Sequence, residues 1–388
     1  MANIIKMYTR HKEIEDSKKE IFKLLDSFEF GEFINEKPNA INKIIMLVPV
    51  VYPNLGGVTS ALRILNYLQD KGCIVTLCVC SDSMSIQETK KNVHLCMPTY
   101  KGSVKNIKDC TNENYDVCIA TSWQTAYWAK KISGYKVYFV QDFEPEFYEM
   151  NDYSVLARDT YSFGYHIISL GGWNVDKIKL NCNYSKSKID IIDFPYDPNE
   201  YSFDNRDYTL YKNKKDITIA CYIRFIGRRV PYISEYLLNN TKKYLEERGY
   251  NLKILFYGID KRNKFSSAMN LGKLSRNELY ELYKSCDFGM TASMSNISLV
   301  PFEMLATGLP LIEYRNGSYS YFLGEDTAIL IDFDYKELGE RIIEAINNPD
   351  ILKEMHEKSK ERLEKLSWNN TCEQFWNILC SSKEKQVE

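Results

Sequence analysis

Between residues 43 and 51 the chain reads KIIMLVPVV, an apolar run without alternation, as a strand covered on both faces of a parallel sheet requires. The turn formers YPNLGG follow, and Val58, Ala61, Leu62, Leu65 and Leu68 then recur at helical spacing up to Gly72. A second apolar run covers 74–80. Strand, glycine turn, helix and strand in that order form a βαβ unit with parallel strands. The same alternation predicts strands over 116–120, 136–141 and 166–170, with a helix over 123–131. Ahead of it, EIEDSKKEIFKLLDSF at 13–28 places Ile14, Ile21, Leu24 and Leu25 on one helical face, fit either to dock on the protein itself or to lie on a membrane surface.

From 194 to 215 the sequence FPYDPNEYSFDNRDYTLYKNKK turns polar, with two prolines and many turn formers, and reads as a linker. Alternation then resumes with strands over 217–222 and 252–257 and a helix over 233–248 between them. Ser275 and Glu278 form a capping box for a helix through 285, a strand covers 288–292, and a short helix runs from Pro301 to Gly308. From 335 onward the period is helical, with Trp368, Phe375, Trp376 and Leu379 apolar near the end. The fold class is therefore α/β with two doubly wound, Rossmann-like parallel-sheet domains. We place them at 1–205, with the leading helix, and at 206–366, followed by a terminal helix over 367–388.

Parallel sheets bind ligands beyond the carboxyl ends of their strands, so the loops there carry the candidate chemistry. After the first strand, Gly56 and Gly57 have no side chains, and their N–H groups can approach a diphosphate or an acceptor at the start of a helix; an ordinary tight turn has the same sequence. QDFEPEFY at 141–148 carries Asp142, Glu144 and Glu146 among aromatic residues, and Asp142, nearest the strand end, suits catalytic or acceptor-binding work. YIRFIGRR at 222–229 sets arginines beside a strand end, where Arg224 first and Arg229 second can hold a diphosphate without a metal. In SNISLVPFEMLATGLP at 295–310, the small polar residues through Ser298 precede a helix. The N–H groups of Leu299 and Val300 would point at an anion, and Glu303 could accept hydrogen bonds from ribose hydroxyls.

LVPFEMLATGLPLIE at 299–313 resembles the signature of family 4 glycosyltransferases, in which a small-residue loop and Leu-Val enter a helix bearing a glutamate. GGVTSALRIL at 56–65 is similar to that family's first glycine loop, and LGKLSRNELYELYKSCDFGMTAS at 271–293 to the segment before its signature. YFVQDFEPEFY at 138–148 and the YIRF…RR loop look like bacterial rhamnosyltransferases of surface-glycan synthesis. The resemblance implies a GT-B architecture closing over its donor, with the terminal helix crossing back to the N-terminal, acceptor-side domain. It implies a nucleotide diphosphate sugar as donor, a saccharide or lipid-linked acceptor, and no cofactor or metal. By position it makes Arg224 and Lys273 the diphosphate ligands, Glu303 the ribose ligand and Asp142 the residue at the reacting centre. The wider family has a glutamate eight residues before Glu303 where this chain has Ser295, which turns the expectation from a glucose-type donor toward a deoxyhexose such as dTDP-rhamnose.

Composition narrows this little further. A formal net charge of -2 provides no basic field for nucleic acid. Eleven scattered cysteines without a Cys-x-x-Cys pair, and four histidines at no metal-ligand spacing, offer no zinc site. Asp332-Phe333-Asp334 matches an Asp-x-Asp metal motif only superficially. The charged first twenty residues carry no signal-peptide core, which points to the cytoplasm, with the leading helix as the one candidate for peripheral membrane contact. An epimerase or phosphorylase of the same fold, or a non-catalytic partner that uses it, remain the alternatives.

Overall fold

The computed structural model describes all residues except 1, 27, 29, 31–32, 54–55, 197–200, 202–205, 226 and 384–388, with the side chains of 2–11 and 227 also outside it. The chain divides into two compact units, one of residues 1–192 with 372–388 and the other of 193–371.

The first unit is built on β1 (Lys43–Val48), β2 (Ile74–Val79), β3 (Ser103–Asn106), β4 (Val117–Ala120), β5 (Tyr135–Val140), β6 (His166–Leu170) and β7 (Ile189–Ile192). They lie in the order β3-β2-β1-β4-β5-β6-β7, each pair parallel. Every residue of β4, β5 and β6 is buried, which explains why these runs read as continuous apolar segments. The edge strands β3 and β7 are half exposed and less apolar. The stretch around 101–114 contains β3 and the short helix Ile107–Cys110, and the apolar pattern of an edge strand is too weak to mark it in sequence. The helix Gly56–Asp70 buries Val58, Ala61, Leu62, Ile64, Leu65 and Leu68, each Leu or Ile contributing about 1.5–3 kcal/mol. Gly72, at φ 92°, ends it in a left-handed turn, with Cys73 N–H returning to Leu68 O at 3.1 Å.

The leading helix begins earlier than the apolar pattern indicates, spanning Ala2–Asp26. It docks on its own unit: Leu24 is buried in the core, and the Phe28 ring just beyond packs 4.9 Å from Tyr127 and 5.0 Å from Phe163. At the other end of the chain, the helix Trp368–Ser381 sends Phe375, fully buried, edge-on against Phe139 of β5 at 5.6 Å. Glu373 pairs with Lys71 at 2.9 Å and accepts from Tyr67.

The second unit holds β8 (Asp216–Tyr222), β9 (Asn251–Tyr257), β10 (Met269–Asn270), β11 (Phe288–Met290), β12 (Leu311–Tyr314) and β13 (Ile329–Ile331). Their order is β10-β9-β8-β11-β12-β13, again parallel throughout. Part of the polar stretch after 194 packs into this unit. Tyr208 and Tyr211 are buried in this unit's core and donate to Gly308 O and Asp287 O, each at 2.8 Å. The capping box is present as expected, Ser275 accepting from Glu278 N and Glu278 from Ser275 N, at the head of the helix Arg276–Ser285. Among the described residues, no helix is long and apolar enough to cross a membrane.

Replacing Phe375 by alanine removes a buried ring that joins a helix distant in sequence to the centre of the first sheet. A loss of about 3–5 kcal/mol is expected, seen as an earlier urea transition. A midpoint unchanged from the parent would show that the terminal helix does not support that sheet.

Candidate functional site

In each sheet the strand order reverses direction beside the strand that comes first in the chain, between β1 and β4 and between β8 and β11. Such switch points leave a crevice beyond the strand ends.

In the first unit the loop after β1 runs through Asn54 and Leu55, which lie outside the described residues, into exposed Gly56 and Gly57 at the start of a helix. A side chain at Gly56 would meet nothing within 4 Å, whereas one at Gly57 would lie 3.4 Å from the Gln141 amide. Gln141 follows β5 and its Nε2 donates to Gly57 O at 3.2 Å, so the structure joins the glycine turn to the acidic loop. Within that loop the three carboxylates part company. Glu144 Oε2 accepts from Tyr138 Oη at 2.8 Å and from the backbone N–H of Trp123 at 2.5 Å, satisfying an orphan donor at the head of the helix Trp123–Ala129. Burial first, and the Glu144 charge second, push the Tyr138 phenol far above its ordinary range. Glu146 pairs with Lys177 at 2.8 Å. Asp142 is half-buried, and its Oδ1 accepts from the next residue's N–H at 2.9 Å. Glu144 is thus a structural carboxylate, a distinction its spacing in the sequence could not convey.

In the second unit Arg224 follows β8 by two residues, half-buried, its Nη1 3.5 Å from Tyr222 Oη. Below it, Gly258 has φ 103°, and a Cβ there would come 2.7 Å from the Tyr222 ring and 2.9 Å from Ile223 O. Only glycine fits. Gly258 N–H donates to Gly272 O at 2.8 Å, which brings Gly272 and exposed Lys273 to the same end of the sheet as Arg224. The helix of the signature spans Leu299–Ala306, two residues earlier than Pro301, so that Leu299 and Val300 form its first turn. Pro301 supplies no N–H, leaving the orphan donors to its predecessors. Ser298 is the N-cap with extended backbone (ψ 174°), yet its side chain makes no cap hydrogen bond, and its Oγ is buried without a partner. A hydroxyl at an N-cap normally turns inward onto the helix; this one does not. Glu303 is half-buried in the same helix, close enough that its charge adds to the burial raising the phenols of Tyr257 and Tyr283, which are hydrogen-bonded to each other at 2.9 Å. Arg224, Lys273, Ser298, Leu299, Val300 and Glu303 therefore all lie in segments that follow strands of one parallel sheet.

Arg229 takes a different part. Its Nη1 donates to Ala292 O at 3.0 Å, and its charge acts on Glu313, a carboxylate with no solvent exposure. Glu313 accepts from Ser293 Oγ at 2.7 Å, Ser293 N at 3.1 Å and Tyr314 N at 3.3 Å, as well as from Thr291 Oγ1. Burial raises its pKa, and the Ser293 and Thr291 hydroxyls, the Ser293 N–H and Arg229 pull it back. Glu313 pins the loop after β11 that leads through Ser295 to Ser298. Ser318 holds the same loop from the other side, donating N–H to Ser293 O at 2.6 Å and Oγ to Ser295 O. Sequence reading passed over Glu313; a lone charge between Ile312 and Tyr314 within an apolar strand was the available signal. The Asp-x-Asp motif is accounted for locally: Asp334 caps the helix Tyr335–Asn347 and Asp332 faces Arg315 at 3.5 Å. Among the described residues no three His, Cys, Asp or Glu side chains gather as a metal would need.

This is the architecture of GT-B glycosyltransferases, with two parallel-sheet Rossmann-like units. The Anabaena protein HepE, solved in complex with UDP and glucose, superposes with a TM-score of 0.65 over 88% of this chain and 100% of its own at 13% identity. The family model described as the WsaF N-terminal domain matches residues 43–171. The O-antigen biosynthesis protein RfbC of Myxococcus xanthus is 23% identical over 267 residues, 65% of this chain and 20% of RfbC. The uncharacterized glycosyltransferase MJ1178 of Methanocaldococcus jannaschii is 25% identical over 214 residues, 50% of this chain and 56% of MJ1178. The chain thus spans from a fifth to just over half of these curated relatives' lengths.

The folded chain holds the Glu313 proton more tightly than the unfolded one, so this group's contribution to stability is complete below its ordinary value near 4.5 and is lost as pH rises through the raised one. Glu313→Gln lacks that loss. The urea midpoint of the parent should fall relative to the variant as pH climbs from 4.5. Parallel curves would mean that the carboxyl does not titrate upward of its usual range.

Proposed function

We propose that the protein is a glycosyltransferase of surface-glycan synthesis that moves a sugar, rhamnose from dTDP-rhamnose, onto a saccharide or lipid-linked acceptor without a metal. The observation that supports this reading is that the second unit carries, beyond its strand ends, two cations and a helix start with an N-cap hydroxyl that caps nothing. A diphosphate leaving group gains negative charge as its bond to the sugar carbon breaks, and fixed donors aimed at that charge supply the stabilisation a metal would otherwise give. Arg224, Lys273 and the N–H groups of Leu299 and Val300 are those donors in this reading, with Ser298 Oγ completing the set and Glu303 accepting from the ribose. Gly56 and Gly57 leave backbone N–H groups open to a second ligand on the first unit. Asp142 is the carboxylate that takes the acceptor hydroxyl's proton as oxygen attacks the sugar carbon. Arg229 acts indirectly, through Glu313 and the loop after β11. Ser295, where the wider family has a glutamate, favours the deoxyhexose, which offers fewer hydroxyls to bind. RfbC's role in O-antigen biosynthesis supports the placement in surface-glycan synthesis.

A thermal-shift panel of nucleotide diphosphates and their sugars tests this reading, because a ligand at 100 times its Kd stabilises the native state by about 2.7 kcal/mol. dTDP and dTDP-rhamnose should raise the melting temperature with EDTA present. Glu303→Ala and Arg224→Ala should each weaken binding about tenfold or more, as loss of a charged hydrogen bond costs roughly 1.5–3 kcal/mol. A shift with UDP-glucose alone would overturn the rhamnose assignment, and a shift abolished by EDTA would overturn the metal-free one. Asp142→Asn should keep the nucleotide shift while losing transfer; equal transfer rates would remove Asp142 from the reacting centre.

A further inference from the structure

The leading helix forms one side of an open hollow of about 690 Å³ on the first unit, within the range of about 300–1,000 Å³ typical of small-molecule sites. Six residues of that helix line it, Glu15, Lys18, Lys19, Phe22, Lys23 and Asp26. Their spacing of three and four is one helical stripe, distinct from the side that buries Leu24. The facing wall comes from the residues after β2, from the helix Ile107–Cys110 and from the end of the helix Trp123–Ala129, and it adds Lys108 and Lys131 above an apolar floor of Cys80, Ile107 and Trp128.

Two features define what fits. The first is charge. Five lysines line the cavity against three carboxylates, Glu15, Asp26 and Asp82, an excess of two positive charges on a protein whose overall charge is -2. Asp82 is shared by Lys23 at 3.1 Å and Lys108 at 4.0 Å, and Lys23 holds its carboxyl below the ordinary range. Lys18, Lys19 and Lys131 have no carboxylate within 4.0 Å among the described residues. Lys18 rests instead over the Phe22 ring at 5.7 Å. The second is the floor, where Phe22, Ile107 and Trp128 offer apolar surface that an inorganic anion would leave uncovered. A neutral saccharide would leave the ammonium groups without a counter-charge. A ligand with a compact anion at one end and an aliphatic chain at the other uses both.

We propose that this cavity binds a single amphiphile with a phosphate head, its alkyl chain against Phe22, Ile107 and Trp128 and its phosphate among Lys18, Lys19 and Lys131. The site is separate from the donor ligands and does not depend on the reading of them.

Calorimetric titration of the full chain with dodecyl phosphate below its micellar concentration tests this. One dodecyl phosphate should bind per chain. The Lys19→Glu/Lys131→Glu double variant and, independently, Phe22→Ser should bind at least tenfold more weakly with unchanged melting temperatures; Phe22 is 54% exposed, so its loss leaves the core intact. Arg224→Ala and Glu303→Ala should bind it as the parent does. Equal affinity for dodecyl maltoside would reduce the site to a hydrophobic hollow, and equal affinity for inorganic phosphate would reduce it to an anion site. Binding lost with Arg224→Ala would place the amphiphile at the donor ligands instead. Co-sedimentation with phosphatidylglycerol vesicles without binding of the monomer would assign the basic stripe to a membrane surface. Any of these four results overturns the proposal.

Discussion

A parallel strand buried on both faces admits a polar side chain only where hydrogen bonds satisfy it, so most polar residues collect where the strand ends. Both sheets of this protein obey that constraint. β4, β5 and β6 are buried throughout, and the residues that follow β5 are Gln141 and Asp142. In the second sheet the residues following β8, β9 and β11 include Arg224, Gly258 and Ser293. The reversal of strand order opens a crevice at the same end, and the fold thereby decides where chemistry can occur before any residue is chosen to perform it.

Loops at such a rim need anchoring, and here buried charge supplies much of it. Glu144 ties the acidic loop to the head of a neighbouring helix, and Glu313 ties the loop after β11 to its own strand. At the opposite end of the first sheet's strands, Lys136, 3% exposed, donates to Gly134 O at 2.6 Å and fixes the turn before β5, its pKa lowered by burial. Removing an ion from water costs several kcal/mol unless hydrogen bonds replace the lost hydration, and each of these groups has such replacements. Ser298 is the contrast, a buried hydroxyl at a helix start with no hydrogen-bond partner among the described residues.

The chain shares its fold with HepE at 13% identity. At that distance the order of strands and the pattern of apolar runs survive, because they answer to burial alone, whereas individual ligands are free to change.

The fold was legible in the sequence because burial on both faces leaves a mark on every residue of a strand. The runs at 43–51, 136–141 and 166–170 show it, and so do the glycines that end helices and turn the chain. Edge strands such as β3 carry no such mark, and the buried tyrosines at 208 and 211 were hidden in a stretch whose neighbours are polar. Candidate ligands were legible as residue types following strand ends. What each does was not, since Glu144 and Asp142 look alike in sequence and differ only in which distant groups meet them. The sequence by itself determined two parallel α/β sheets and the loops that hold polar chemistry, because those follow from local periodicity. Tertiary structure alone decided that Arg229 serves Glu313, that Ser298 caps nothing and that the leading helix borders a basic hollow, because each depends on residues brought together from far along the chain.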